Sequence, residues 1–208
     1  MEILDAGQIA TVLDALKGDR LYPIVVLAIA TGMRRGELLA LQWRDVDLDR
    51  GALRVERSLE QTRAGPRLKG PKSKHGKRAV SLPESAVDLL SQHRKAQLEL
   101  RLQLGMGKPA PDALVFCDHE GRPIAPNHLS VLWRRALAKL PNIPRVKFHA
   151  LRHSHASALI HAGVDVVKVS RRLGHGSPTI TLYVCAHLFS KTEDETADAI
   201  EAALGGKL

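Results

Sequence analysis

The sequence predicts a mainly α-helical domain carrying a small antiparallel β-sheet, an α+β fold. Three observations carry that expectation. Apolar residues recur at helical spacing along most of the chain, two-residue alternation is confined to Val46–Leu82, and short Gly- or Pro-marked turns separate the segments. At 208 residues the chain has the length of one domain with a small extension, enough to bury a core without staples.

The elements follow in order. Asp5 with Gln8 three residues later makes a capping box, and Ile9, Val12, Leu13 and Leu16 continue it as a helix. A second helix runs through Ile24 to Ala30 and stops at Thr31-Gly32. A third starts near Arg35 and carries Leu38, Leu39 and Leu41. Leu53-Val55 and Ala79-Val80-Leu82 alternate as short strands around a stretch rich in Gly, Pro and Lys. Pro83-Glu84 opens a long helix to Leu104, with Leu89, Leu90, Leu98 and Leu102 as its apolar stripe. Residues 105–111 form a loop, Ala113 to Phe116 a strand, and Pro126 to Leu140 a helix. Four more helices are expected: Phe148 to Ala162, Val164 to Leu173, Pro178 to Leu188 and Lys191 to Leu204.

Charge narrows the function. Lys and Arg number 31 against 22 Asp and Glu, a formal net charge of +9, which favours a polyanionic partner such as nucleic acid. Aromatics at 3% argue against a single-strand binder built on stacking platforms. Two cysteines make no disulfide framework and fit a reducing, cytoplasmic compartment. The longest apolar run, Ile24 to Ala30, is too short to span a bilayer, and Met1-Glu2-Ile3 does not open a signal peptide, so no membrane role is expected.

Three boxes concentrate the chemistry. In Thr31-Gly-Met-Arg34-Arg-Gly-Glu37-Leu, an arginine follows a glycine turn at a helix start, where free N–H groups and a fixed cation suit a phosphate. Glu37 stands one turn on, where it can hold that arginine; a helix-start Arg–Glu pair is most often structural. In His149-Ala-Leu-Arg152-His153, His149 and Arg152 share a helix face, and an imidazole beside a guanidinium can neutralise and protonate a phosphoryl group. His149 and His153 also have the i, i+4 spacing of metal ligands, but Ala150 stands where the usual glutamate would, and an ordinary helix-face pair is the bland reading. The third box, Leu173-Gly-His175-Gly-Ser-Pro-Thr-Ile-Thr-Leu-Tyr183-Val-Cys185-Ala-His187, puts a histidine on a glycine turn before a helix bearing nucleophiles.

In this order and spacing, the boxes resemble those of the tyrosine recombinase, or phage integrase, family, over nearly the whole chain from about Asp5 to Phe189. The first box is similar to the family's first arginine motif, His149-x-x-Arg152 to its His-x-x-Arg motif, and Leu173-Gly-His175 to the motif of its second His or Trp. Pro71-Lys72-Ser-Lys74-His-Gly-Lys77-Arg78 resembles the β-hairpin segment that carries its lysine. The resemblance implies a tyrosine-recombinase catalytic domain that cuts and rejoins DNA through a covalent 3′-phosphoprotein intermediate, without metal or other cofactor. Arg34 and Arg152 would clamp the scissile phosphate, His149 assist proton traffic, and His175 donate a further hydrogen bond. Lys72, directly after the proline, would protonate the leaving 5′-oxygen, with Lys74 as its rival. Lys74, Lys77 and Arg78 would touch DNA backbone.

The resemblance places the nucleophile ten residues beyond His175, where the sequence reads Cys185 in place of tyrosine. Tyr183 stands two residues earlier, roughly 200° away around a helix, and is the alternative. A thiol is nucleophilic, with an ordinary pKa of ~8.5, but the bond it forms with phosphorus is less favourable than a phenolate's. Cleavage by this chain is therefore expected to be absent or impaired, and a recombinase-like module that binds DNA without cutting it is the alternative function. A metal nuclease built on His149, His153, His155 and His175 is remote, since clustered carboxylates are missing.

The expected organisation is a catalytic domain over 1–190 and a terminal helix or tail over 191–208, the kind of segment that relatives pass to a neighbouring protomer. On that resemblance, the family's N-terminal DNA-clamping domain is expected to be absent. The expected partners are double-stranded DNA and other protomers, a monomer alone assembling into a tetramer on two duplexes, in a bacterial or phage-encoded setting.

Overall fold

The computed structural model describes residues 2–70 and 76–185, the last three as helix backbone alone. The order is α1 (Ala6–Ala15), α2 (Tyr22–Thr31), α3 (Arg35–Leu39), β1 (Val46–Asp47), β2 (Ala52–Val55), β3 (Ser58–Thr62), β4 (Gly65–Lys69), β5 (Arg78–Ser81), α4 (Glu84–Gln103), α5 (Pro126–Ala138), α6 (Ala150–His161), α7 (Val166–Leu173) and α8 (Pro178–Cys185). A mainly helical fold with a small antiparallel sheet is what the sequence predicts. No helix among the described residues is long and apolar enough to cross a membrane.

Helix α2 is the pivot. Its residues are almost all apolar, so it buries Ile24, Val25, Leu27 and Ala28 and packs against α1, α3, α4 and α6. Gly32 ends it in the left-handed region, φ 64°, which turns the chain sharply into the first arginine box. At α1, the Asp5 carboxylate accepts from the Gln8 amide at 2.8 Å and Gln8 answers to the Asp5 amide at 3.1 Å, the capping box read from sequence. Asp165 caps α7 in the same manner, accepting from the amides of Val167 and Lys168.

Strands β1, β2 and β5 form one antiparallel sheet, with Leu53 opposite Val80 in the register that buries both. Strands β3 and β4 form a second hairpin inside what sequence shows only as a Gly-, Pro- and Lys-rich stretch. Its pairing is held by polar contacts: Glu60 takes both Arg67 and Lys69 from the opposite strand. Leu59 is its one buried apolar residue, so no apolar alternation announces it.

Two expectations are corrected. Leu114, Val115 and Phe116 are buried but form no strand; a single bridge joins Leu114 to Gln42, because their neighbour is the irregular segment after α3. On α4, Leu98 and Leu102 do not contribute to the core. The helix outruns it after Gln97, which is tied to the Trp43 indole at 2.6 Å, leaving Leu102 74% exposed; Ala86 and Leu90 are the buried contacts. The expected helix over 191–204 and the rest of 186–208 lie outside the described residues, as do Lys72 and Lys74.

Candidate active site

The buried end of α2 sets the local problem. A helix's last carbonyls have no partners within the helix and must find donors elsewhere. Here the Ile29 carbonyl accepts from His155 Nδ1 at 2.7 Å, the Ala30 carbonyl from Arg172 at 3.0 Å, and the Gly32 carbonyl from Arg152 Nη1 at 2.6 Å. Arg172 Nε also donates to His155 Nε2 at 3.1 Å. His155 therefore donates at one ring nitrogen and accepts at the other, which requires the neutral form. Burial, then the charges of Arg172 and Arg152, push it down to about 4, against the hydrogen bond to Ile29 that raises it.

The end of α7 repeats the pattern with the box arginines. Three successive carbonyls, those of Arg172, Leu173 and Gly174, accept from Arg78 Nε at 2.7 Å, Arg152 Nη2 at 2.7 Å and Arg34 Nη2 at 3.2 Å. Elements far apart in sequence thus meet on one helix terminus, whose partial negative charge favours cations. Gly174, left-handed at φ 66°, makes the turn that exposes these carbonyls.

One carboxylate organises the cluster. Glu37, 6% exposed, accepts from Arg34 Nη1 and from the Arg34 amide, both at 2.9 Å. It also accepts from Arg78 Nη2 at 2.8 Å and Nη1 at 3.2 Å. Burial opposes the charge on Glu37, but Arg78 and then Arg34 hold its pKa below the ordinary value. Arg152 is 3% exposed and has no carboxylate partner among the described residues; burial and the charge of Arg34 push it down to about 9, still a cation at neutral pH. Arg34, Arg78 and Arg152 against Glu37 leave positive charge that an anion would relieve.

His149 stands at the start of α6 beside this cluster, its ring edge-to-face with His153 at 4.9 Å between centroids. Partial burial, His153 and the nearby guanidiniums push it down to about 4. His175 follows the α7 turn; its Nδ1 lies 2.7 Å from the hydroxyl of Thr181, a fully buried residue of α8, and burial with Arg152 and Arg34 brings it to about 4. Both imidazoles are neutral at pH 7, fit to accept a proton or to donate one hydrogen bond. An open groove of about 1140 Å³ runs from Arg34 and His149 past Arg35, Arg134, Arg145 and Lys147.

Arg34, Glu37, His149, Arg152 and His175 thus lie together, as the boxes suggest. Arg78, expected on DNA backbone, is turned inward: its side chain is 6% exposed and engaged by Glu37 and by main-chain carbonyls. Lys77 does lie on the surface, 62% exposed and 3.0 Å from Glu56. Positions 183 and 185 are both on α8 as backbone. Sequence reasoning gave no role to Arg172 or Thr181, and took His155 only as a remote metal ligand; no local pattern marks any of them. Among the described residues no group of three or more His, Cys, Asp or Glu has a metal-holding arrangement.

The family model of the phage integrase family matches residues 2–191. The chain belongs to the phage integrase family. A tyrosine recombinase XerC-like protein of Caldanaerobacter subterraneus subsp. tengcongensis is 32% identical over 96% of this chain and 54% of its own length. The ICEBs1 integrase of Bacillus subtilis is 32% identical over 86% of this chain and 48% of its own length. This phage integrase family chain therefore spans about half the length of those relatives. In fold it is similar to the Tn1549 transposon integrase solved in complex with transposon right end DNA, TM-score 0.80 at 22% identity, covering 98% of this chain and 66% of that one.

Proposed function

We propose that this domain binds double-stranded DNA and, by the chemistry of its family, catalyses strand cleavage and rejoining through a covalent 3′-phosphoprotein intermediate, for site-specific recombination or integration. The observation that carries the reading is the convergence of Arg34 and Arg152 on adjacent α7 carbonyls, with the one carboxylate, Glu37, engaged by Arg34 and Arg78 and none on Arg152 among the described residues. A scissile phosphate entering there gains two guanidiniums on its non-bridging oxygens, where negative charge builds as the nucleophile adds. His149, neutral, takes up the nucleophile's proton, and His175 donates a hydrogen bond to a phosphate oxygen. Lys72, with Lys74 as the other candidate, protonates the departing 5′-oxygen; rejoining runs the same steps backwards. In the assembled reaction, protomers act together on two duplexes.

The nucleophile position is 185, and the chain reads cysteine there. The spacing of ten residues from His175 supports 185, and helix geometry sets 183 ~200° away on α8, so the two positions cannot serve the phosphate alike. A phenolate both attacks phosphorus and leaves it readily, whereas a thiolate makes the weaker bond, so this chain cuts DNA poorly. That same residue favours a second reading, a module that occupies DNA without cutting it. One assay separates them: a nicked suicide duplex incubated with the chain and with its Cys185→Tyr variant. Covalent adduct with Cys185→Tyr and little with the parent chain supports a competent pocket lacking its nucleophile. Binding without adduct in either protein favours the module. An adduct mapped to Tyr183 would reject the assignment of position 185.

A further inference from the structure

We infer that Arg78 is a positioning residue that aims Arg34 at the phosphate through their shared carboxylate, rather than a DNA contact. The inference rests on the functional reading above, because it concerns how that site is assembled.

Arg78 opens β5, beyond the segment carrying Lys72 and Lys74, and its guanidinium ties together parts that sequence keeps apart. Toward the first box it grips Glu37 with both Nη atoms, at 3.2 and 2.8 Å. Toward the lysine segment its Nη1 donates to the Gly76 carbonyl at 3.2 Å, and toward the third box its Nε donates to the Arg172 carbonyl at 2.7 Å. Its side chain and that of Glu37 are each 6% exposed, whereas Arg34 keeps 40% exposure. The buried arginine fixes the carboxylate and the more open arginine is left to meet DNA. Without Arg78, Glu37 would keep one bond to each oxygen, both from Arg34, and lose the buried partner that ties it to β5 and to the end of α7. A planar guanidinium can serve these partners at once, which an ammonium cannot.

The test is a double-mutant cycle on DNA binding, using a short duplex of arbitrary sequence and the full chain. Arg78→Gln should weaken binding by ~5-fold and lower the slope of log affinity against log salt by ~1, as Arg34→Gln does. Adding Arg78→Gln to Arg34→Gln should change neither quantity further, because both act through one contact. Independent, additive losses, or a second drop of ~1 in slope, would make Arg78 a phosphate contact and overturn the inference. Arg78→Lys covers the case in which Arg78→Gln does not fold. It keeps a cation beside Glu37 but not the planar fork, and it should show the same non-additivity with Arg34→Gln.

A DNA-free measurement separates this inference from the functional reading. In arginine side-chain NMR spectra, Arg34 should lose its slowed guanidinium exchange in either Arg78 variant, while Arg152, which rests on carbonyls, keeps its own. An unchanged Arg34 signal overturns the inference whether or not DNA binds. Failure of the parent chain to bind any duplex rejects the functional reading, and the NMR comparison still decides the role of Arg78.

Discussion

Arg152 donates to the Leu173 carbonyl at 2.7 Å, and its other terminal nitrogen reaches the Gly32 carbonyl at 2.6 Å. One side chain thereby closes the ends of α2 and α7 and places a buried cation between them. Replacing it with methionine keeps bulk but strands two buried carbonyls, at about 1–3 kcal/mol each. Arg152→Met should destabilise the domain by about 2–4 kcal/mol in urea unfolding. Arg152→Lys keeps the cation but must reach both carbonyls from a single nitrogen, so its loss should be smaller; a stability equal to the parent's would contradict the bridging role.

Glycine at 32 and 36 is demanded by close approach. A methyl group on Gly32 would meet His155 at 2.6 Å and Leu173 at 2.7 Å, in a backbone of positive φ. A methyl on Gly36 would meet the Leu59 carbonyl at 2.5 Å and the Ser58 hydroxyl at 2.6 Å. Gly36→Ala should push the β3–β4 hairpin off α3, costing about 1–3 kcal/mol. Gly32→Ala should cost more, since strain adds to the clash. Thermal unfolding of the two variants ranks them, and the reverse order would contradict this account.

Acid should unfold the domain early. His149, His155 and His175 have folded values near 4 against an ordinary 6.5, so the unfolded chain takes up their protons first. Their contribution is present above pH 6.5 and is lost as pH falls through that value toward 4. For buried His155 alone the loss approaches about 3 kcal/mol. Glu37, held low, adds a loss below its ordinary carboxylate range. Melting temperature measured from pH 7.5 to 4 should decline steadily, and His155→Gln should flatten part of that decline. A flat profile in the parent chain would refute the neutral-histidine assignment.

Thr181 offers a finer test of the site. Its hydroxyl lies 2.7 Å from His175 Nδ1, and Thr181→Val removes that group at nearly constant shape. In a Cys185→Tyr background, adduct formation should slow by about 5-fold, equivalent to about 1 kcal/mol, with duplex binding unchanged. A parallel fall in binding would indicate a packing defect instead.

The helices were legible because each needs only a local rule: a capping box at Asp5, a glycine stop after Thr31, apolar spacing through α5 and α6. The β3–β4 hairpin was not, because ion pairs from Glu60 to Arg67 and Lys69 hold it in place of alternating apolar residues. The exposed leucines of α4 depart from the periodicity's expectation for a related reason. Periodicity marks a helix, but only the packed structure says where the core beside it ends.

The site divides the same way. By itself, the sequence determined the family boxes, the excess of positive charge, and the cysteine at position 185, since these are properties of residue identity and order. Tertiary structure alone decided that Arg78 turns inward to Glu37, that His155 and Arg172 close the end of α2, and that Arg78, Arg152 and Arg34 share three successive carbonyls. The physical reason is that a buried helix end must find donors wherever the fold brings them, and such partners here lie up to 142 residues away in sequence.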